Sequence, residues 1–374
     1  MKWARSKGCD WDSDTCMEAA RGGHLHILQW ARANGCDWDS DTCREAARGG
    51  HLDCLIWARA NGCDWNHWTC DAAAKAGHLD ILQWARANGC DWNSKTCSVA
   101  AKAGHLHILQ WARANGCDWD EDTCSAAAGA GHLHILQWAR ANGCPWNSNT
   151  CCAAAYSGDL AILQWARANG CDWCSWTCRN AAWSGHLHIL QWARANGCDW
   201  DLYTTRAAAE EGHLHILQWA RANGCDWDSS ACYHCLICCS NLDVLKWLIV
   251  SGCSMNYEDD DVNDDDDDDY KYFNLCESAA EEGFWDIVQL AWDHGCPCTD
   301  KIKIQCMQYQ HQKKLSDLKN QLQDIKKLYA STLPLKPQQQ QQQIMDTQQH
   351  LDDINKHLSN VKQFISAMYD QQQS

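Results

Sequence analysis

The chain has 374 residues, 28 of them cysteine and 24 tryptophan, and a formal net charge of -17. Two or three ordinary domains would fit that length, but no run of about 18 apolar residues occurs, so no helical membrane span is expected. Much of the negative charge lies in one segment, Glu258 to Asp269, and says little about the remaining surface. The cysteines recur in a fixed register with no apolar signal segment before them. That pattern points to thiols packed as small core groups in a reducing compartment, cytoplasmic or nuclear, and against secretion.

From the first residues the sequence repeats. Met1 to Gly8 is charged and already in phase, Lys2 and Trp3 matching the last turns of a helix whose beginning is absent. One tryptophan then returns every 27 residues, at Trp3, Trp30, Trp57, Trp84, Trp111, Trp138, Trp165, Trp192 and Trp219, with a looser copy at Trp247. A fixed period of this size signals a stack in which each unit is too small to bury its own core. In the block from Cys16 the spacing predicts two helices. The first opens at Ser13, Asp14 or Thr15, carries Cys16, Ala19 and Ala20 on one face, and ends at Gly22 and Gly23. The second runs from about Leu25 to Ala33 and turns Leu28, Trp30 and Ala31 to its neighbours, before Asn34 and Gly35 stop it. Cys36, Asp37 and Trp38 lead straight into the next block, which leaves too few residues for a proper hairpin. The Trp30 and Trp38 series read as packing ladders that replace what a hairpin would supply.

These residues resemble the ankyrin repeat. Ala46, Ala47, Gly50 and His51 match its Ala-Ala-x-x-Gly-His segment, and Gly62, Cys63, Asp64 and Trp65 match its Gly-Ala-Asp-Val. Thr42 and Cys43 stand where that family has Pro and Leu, and the period of 27 is shorter than the family's, at the expense of the projecting hairpin. The resemblance spans about residues 1 to 298. It implies an all-α, ankyrin-like α-solenoid of helix-turn-helix units with reduced β-hairpins, and contacts made through the first-helix, concave side.

Eight regular units reach Trp227, and two looser ones follow, Cys232 to Cys253 with one extra residue in its first helix and Cys276 to Cys296. The expected organisation is a repeat array over 1–254, an acidic disordered insertion over 255–273, a divergent last repeat over 274–298, a helix over 299–330, a Pro/Gln-rich linker over 331–349 and a helix over 350–371. Asp259 to Asp261 and Asp264 to Asp269 repel one another and cannot bury apolar area. A sharper expectation for that run is that it competes with a ligand for the basic part of the repeat surface. Beyond it, Leu315, Leu318, Leu322, Ile325 and Tyr329, then Leu351, Ile354, Leu358, Val361, Ile365 and Met368, alternate steps of three and four. These short coiled-coil stripes could fold on each other or mediate self-association through 315–368.

The copies can also be compared with one another. Their second helices hardly vary, as recent duplication would produce. Variation gathers two residues before the first-helix cysteine, one after it and five after it, all on one helical face. There the units place Asp41, Arg44 and Arg48; Trp68, Asp71 and Lys75; Lys95, Ser98 and Lys102; Asn149, Cys152 and Tyr156; Trp176, Arg179 and Trp183; and Tyr203, Arg206 and Glu210. A solvent-facing strip of Trp, Tyr, Arg and Lys is what a partner-reading surface needs, since these side chains dominate interface hot spots. The reading is therefore a protein-protein interaction scaffold. Its candidate contacts are Arg44, Arg48, Trp68, Asp71, Lys75, Lys95, Lys102, Tyr156, Trp176, Arg179, Trp183, Tyr203, Arg206 and Glu210. Its partner is another protein, an extended segment with acidic and apolar portions.

Two alternatives draw on other chemistry. Repeated zinc sites would use sets such as Cys9, Cys16, His24 and His26, but His26 becomes Asp53, Asp80 and Ala161 in later copies and Cys16 becomes Thr205, so no donor set persists. Cys232, Cys235, Cys238 and Cys239 with His234 form a denser zinc candidate, although Cys232 and Cys235 also stand in core phases. A single-stranded nucleic-acid binder would use the basic and aromatic strip, which Asp41, Asp71, Asp122 and Glu210 interrupt. No phosphate loop or nucleophile-base motif appears, so no enzyme and no cofactor is expected.

Overall fold

In the computed structural model, residues 12–239, 241–258 and 272–332 are described, with Met345 and Gln349 beyond them. The chain divides into two units, Met1–Trp227 and Asp228–Ser374. In the first, helices alternate strictly: α1 (Ser13–Arg21), α2 (Leu25–Ala33), α3 (Ser40–Gly49), α4 (Leu52–Ala60), α5 (His67–Ala76), α6 (Leu79–Ala87), α7 (Ser94–Lys102) and α8 (Leu106–Ala114). The series goes on with α9 (Glu121–Gly129), α10 (Leu133–Ala141), α11 (Ser148–Ser157), α12 (Leu160–Ala168), α13 (Ser175–Trp183), α14 (Leu187–Ala195), α15 (Leu202–Glu210) and α16 (Leu214–Ala222). This is the all-α array of helix-turn-helix units that the 27-residue period demands, and no strand forms among its described residues.

Six of the eight first helices begin where an Asp or Asn side chain takes up a free backbone N–H, the exceptions being α1 and α13. Asp39 accepts from the Asp41 N–H at 2.9 Å and Asn93 from the Lys95 N–H at 3.0 Å. In the first unit the cap is Asp12, one residue before the stretch expected from sequence. Two different demands fix the glycines. Gly116, after α8, has φ +82° and open space around the missing Cβ, so only its backbone conformation requires glycine. Gly104, after α7, has φ +86°, and a Cβ there would come within 3.0 Å of the His132 ring of the next unit. The Gly-His motif thus seats one unit's imidazole on its neighbour's backbone.

Between the helices lies a core of small residues. Cys43, Ala46, Ala47, Leu55, Ala58 and Cys63 are fully buried, and the later units of the array repeat the pattern, with buried Thr205 replacing the first-helix cysteine in one of them. Every first helix packs on the first helices of adjacent units and on its own second helix, a close approach that the alanines allow. The thiols are hydrogen-bonded as well as buried: Cys63 donates to the Asp39 carbonyl of its own unit's start at 3.1 Å, and Cys43 contacts Cys63. That contact, with burial, pushes the Cys43 thiol far up, which suits a packing role rather than reactivity.

The tryptophans form a second, outer ladder. Trp119 meets Trp138 of the next unit edge-on at 5.8 Å, while the Arg113 guanidinium lies over its ring at 4.2 Å and also donates to the Cys117 carbonyl. The same trio recurs as Arg32, Trp38 and Trp57 and as Arg194, Trp200 and Trp219. Asn115 Nδ2 ties off the helix by donating to the Trp111 carbonyl at 2.8 Å. Both expected tryptophan ladders therefore meet as one.

The second unit holds α17 (Ser229–His234), a π-helical turn (Cys235–Cys239), α18 (Leu242–Val250), β1 (Asn256–Glu258), β2 (Tyr272–Asn274), α19 (Leu275–Glu281), α20 (Trp285–Asp293) and α21 (Asp300–Thr332). The extra residue of this unit's first helix is absorbed as the π-turn. β1 pairs antiparallel with β2 in the register Tyr257 to Phe273, so ordered strands reach into both ends of the stretch expected to be wholly disordered. Residues 259–271, with most of the acidic run, lie outside the described residues, as does nearly all of the linker and second helix expected over 331–371. Cys276 and Cys298 are joined by a disulfide, a departure from the reading of all register cysteines as free thiols. α21 is held to α20 by Lys313 on Asp286 and by Cys306, which is buried and donates to the Trp285 carbonyl. Among the described helices none is long and apolar enough to cross a membrane.

Candidate binding face

Because first helices stack on first helices, the positions that vary in sequence fall in rows along one side of the first unit. Two of the three rows stand proud. Trp176 is 57 % exposed, Tyr156 56 %, Tyr203 49 % and Trp68 46 %. Lys75, Lys95, Lys102 and Arg48 are exposed too, while Trp183 and Glu210 are half-buried. The row one residue after the cysteine forms the floor: Arg44, Arg179 and Arg206 are half-buried there, and Cys152 is buried.

Asp71 departs from the expected solvent-facing strip, being only 7 % exposed. The floor residue of one unit faces the buried threonine preceding the next unit's cysteine, and Thr96 donates to Asp71 Oδ1 at 2.6 Å. Its other oxygen, Oδ2, has no hydrogen-bond partner among the described residues. Burial holds the carboxyl above its ordinary range, against the opposing hydrogen bond from Thr96 and the charges of His67 and Lys95.

The expected basic bias of the first half needs a similar correction. Glu45, 3 % exposed, places Oε1 at 3.2 Å from Arg44 Nε and 3.1 Å from Arg48 Nη1, and Oε2 at 3.8 Å from Arg21 Nε. Arg44 also pairs with Asp41 at 2.7 Å. Both arginines are thus largely neutralised within the chain, and the positive character passes to Lys75, Lys95 and Lys102. Glu45 stands two residues after its cysteine, a fourth row that the sequence reading passed over. Its signal was present in the variation Glu18, Glu45, Val99 and Asn180 at that phase.

Members of all four rows line one groove of about 570 Å³ that crosses α7, α9, α11 and α13; of the candidate contacts Lys102 and Tyr156 are in its lining, and the others lie outside it. Lys102, Asp122, Asn149, Tyr156 and Asn180 supply its polar lining, and Val99, Ala126 and Ala153 its apolar part. Its neighbours are held in place. Arg179 lies over the Trp176 ring at 4.3 Å and Arg206 over the Tyr203 ring at 6.0 Å. His213 Nε2 lies 3.0 Å from the Trp183 carbonyl.

Among the described residues of the denser zinc candidate, two cysteines are taken into the core and one lies beside its histidine. Cys232 is buried in contact with Cys253, and Cys235 is buried with its sulfur 3.6 Å from the Asn241 carbonyl. Cys238 is exposed and lies 3.9 Å from His234 Nδ1. Cysteines in the core phases therefore serve the core.

Compared with solved structures, the chain is similar to the human ASB11 ankyrin repeat domain, at 18 % identity and a TM-score of 0.36, over 42 % of this chain and 84 % of that one. No family model and no curated protein matches it.

Proposed function

We propose that the chain is an ankyrin-like protein-protein interaction scaffold whose first-helix face binds an extended segment of another protein, by recognition and without chemistry of its own. The groove across α7 to α13, lined from the rows that vary between otherwise uniform units, carries this reading. Along the same face, Lys102 of the groove with Lys75 and Lys95 before it would favour acidic side chains, and Tyr156 of the groove with Trp176, Trp183 and Tyr203 after it would favour apolar ones. Trp176 and Tyr203, steadied by Arg179 and Arg206, lose little freedom on binding, which is what makes aromatic anchors effective. Peptides selected on the full chain from a random library should combine acidic and apolar residues. Their affinity, measured by fluorescence anisotropy, should fall about 30-fold with Trp183→Ala, the equivalent of about 2 kcal/mol. Selected peptides that bind Trp176→Ala and Trp183→Ala chains as tightly as the parent would refute the assignment of this face.

The helical tail suggests a second contact. Leu318 and Ile325 are exposed on α21, in the stripe begun by Leu315 and Leu322. Self-association through 315–368 would cover them, and light scattering of the chain with Leu318→Glu should then report a lower mass than the parent.

A further inference from the structure

Three cysteines among the described residues of the first unit fall outside the repeat register, Cys54, Cys152 and Cys174, and the last two touch while Cys54 is buried in a second helix. Cys152 occupies the floor row of α11, where other units have Arg44, Asp71, Ser98, Ser125 and Arg179. Cys174 occupies the N-cap of α13, where every other regular unit has Asp or Asn, and it makes no side-chain capping bond. Its backbone keeps the repeat geometry, since Cys198 still donates to the Cys174 carbonyl at 3.5 Å, so only the side chain has changed. The two sulfurs lie 3.9 Å apart, with Cys152 also 3.6 Å from Thr177 Oγ1. Two departures from a uniform pattern, in adjacent units and at positions that meet, make a dithiol, and one of its two members, Cys152, lines the groove.

Access separates this pair from the others. Among the described residues of the unit, Cys174 is the one free thiol that is not buried. The register thiols, such as Cys151 and Cys171, are closed to an external reagent.

We propose that Cys152 and Cys174 are a covalent modification site, which low-molecular-weight disulfides convert into an intrachain disulfide between neighbouring units. The Cys174 thiolate attacks one sulfur of the small disulfide, forming a mixed disulfide and releasing one small thiolate. The Cys152 thiolate then attacks the Cys174 sulfur and expels the second. The two protein thiols give up two electrons and two protons, and the small disulfide leaves as two thiols. Reaching a bond length of about 2.05 Å from the present separation needs a shift of roughly 2 Å, shared between a helix cap and a side chain in the groove floor. Burial, which pushes the Cys152 thiol up to about 12, makes it the second sulfur to react, not the first.

The test uses the full chain, reduced, freed of reductant and treated with glutathione disulfide. Tryptic peptides 141–167 and 168–179 should appear cross-linked, with fragment ions placing the bridge between Cys152 and Cys174. Cys174→Asp, which restores the cap used elsewhere, should abolish the bridge with unchanged far-UV circular dichroism. Cys152→Ser should leave Cys174 as a lasting mixed disulfide with glutathione. A parent chain that accumulates this mixed disulfide at Cys174 while Cys152 stays free would overturn the proposal. So would a bridge placed between Cys151 and Cys171, or one that persists in Cys174→Asp.

Discussion

Trp119→Ala removes one rung of the outer ladder in the middle of the array, and its cost can be assembled from the contacts. The edge-on pair with Trp138 contributes about 0.5–1.5 kcal/mol and the Arg113 guanidinium about 0.5–1 kcal/mol. The indole is half-buried, and roughly 100 Å² removed from water at about 25 cal/mol per Å² adds about 2.5 kcal/mol. Partial recovery, as Arg113 finds water, brings the expected loss to about 3 kcal/mol. Because Trp119 and Trp138 belong to adjacent units, the loss falls on the interface between neighbours, and the stack should unfold less cooperatively about that point. Urea denaturation of the full chain, followed by circular dichroism, measures it. A cycle with Arg113→Ala should return a coupling of about 0.5–1 kcal/mol. A loss below about 1 kcal/mol, or no coupling, would show that the rings are neighbours without being supports.

Gly104→Ala and Gly116→Ala separate the two demands on glycine. Both should cost about 1 kcal/mol for the positive φ, and Gly104→Ala should cost a further 1–2 kcal/mol or so, because its Cβ meets His132; His132→Ala should recover the excess, and equal costs would refute the seating of one unit on the next. Asp71 makes stability depend on pH. Its carboxyl holds a proton more tightly in the folded chain than at its ordinary value of 3.8, so its contribution is greatest in acid and is lost as pH rises from there through the raised value. Relative to Asp71→Asn, the parent chain should therefore weaken over that interval and level off above it, and a difference that stays flat with pH would place the carboxyl in water.

Much of the array was legible because its signals are local and repeated. Glycine after an amphipathic run, alanines three and four residues from a cysteine, and a strict period leave few ways to fold, and α2 occupies the residues expected of it. The extra residue before Asn241 was visible in the spacing, though not that a π-turn would take it up. What the pattern concealed was depth. A helical face is wide enough that its rows differ in exposure, and only stacking decides which becomes the floor; Asp71 and Lys75, four residues apart, end up buried and exposed. Charge pairing was equally hidden. Spacing alone presents Arg44 and Arg48 as free cations, whereas the buried Glu45 between them pairs with both.

The segment Leu-His-Ile-Leu-Gln-Trp-Ala-Arg-Ala occurs unchanged as α2, α8, α10, α14 and α16. Every seam between blocks is consequently nearly the same seam, and almost any block can follow any other. Gain or loss of a whole 27-residue block would leave each remaining join intact while moving the outward-facing side chains into new company. A chain built this way can change what it recognises by splicing, as a sentence is changed by reordering words, without first having to invent a new grammar.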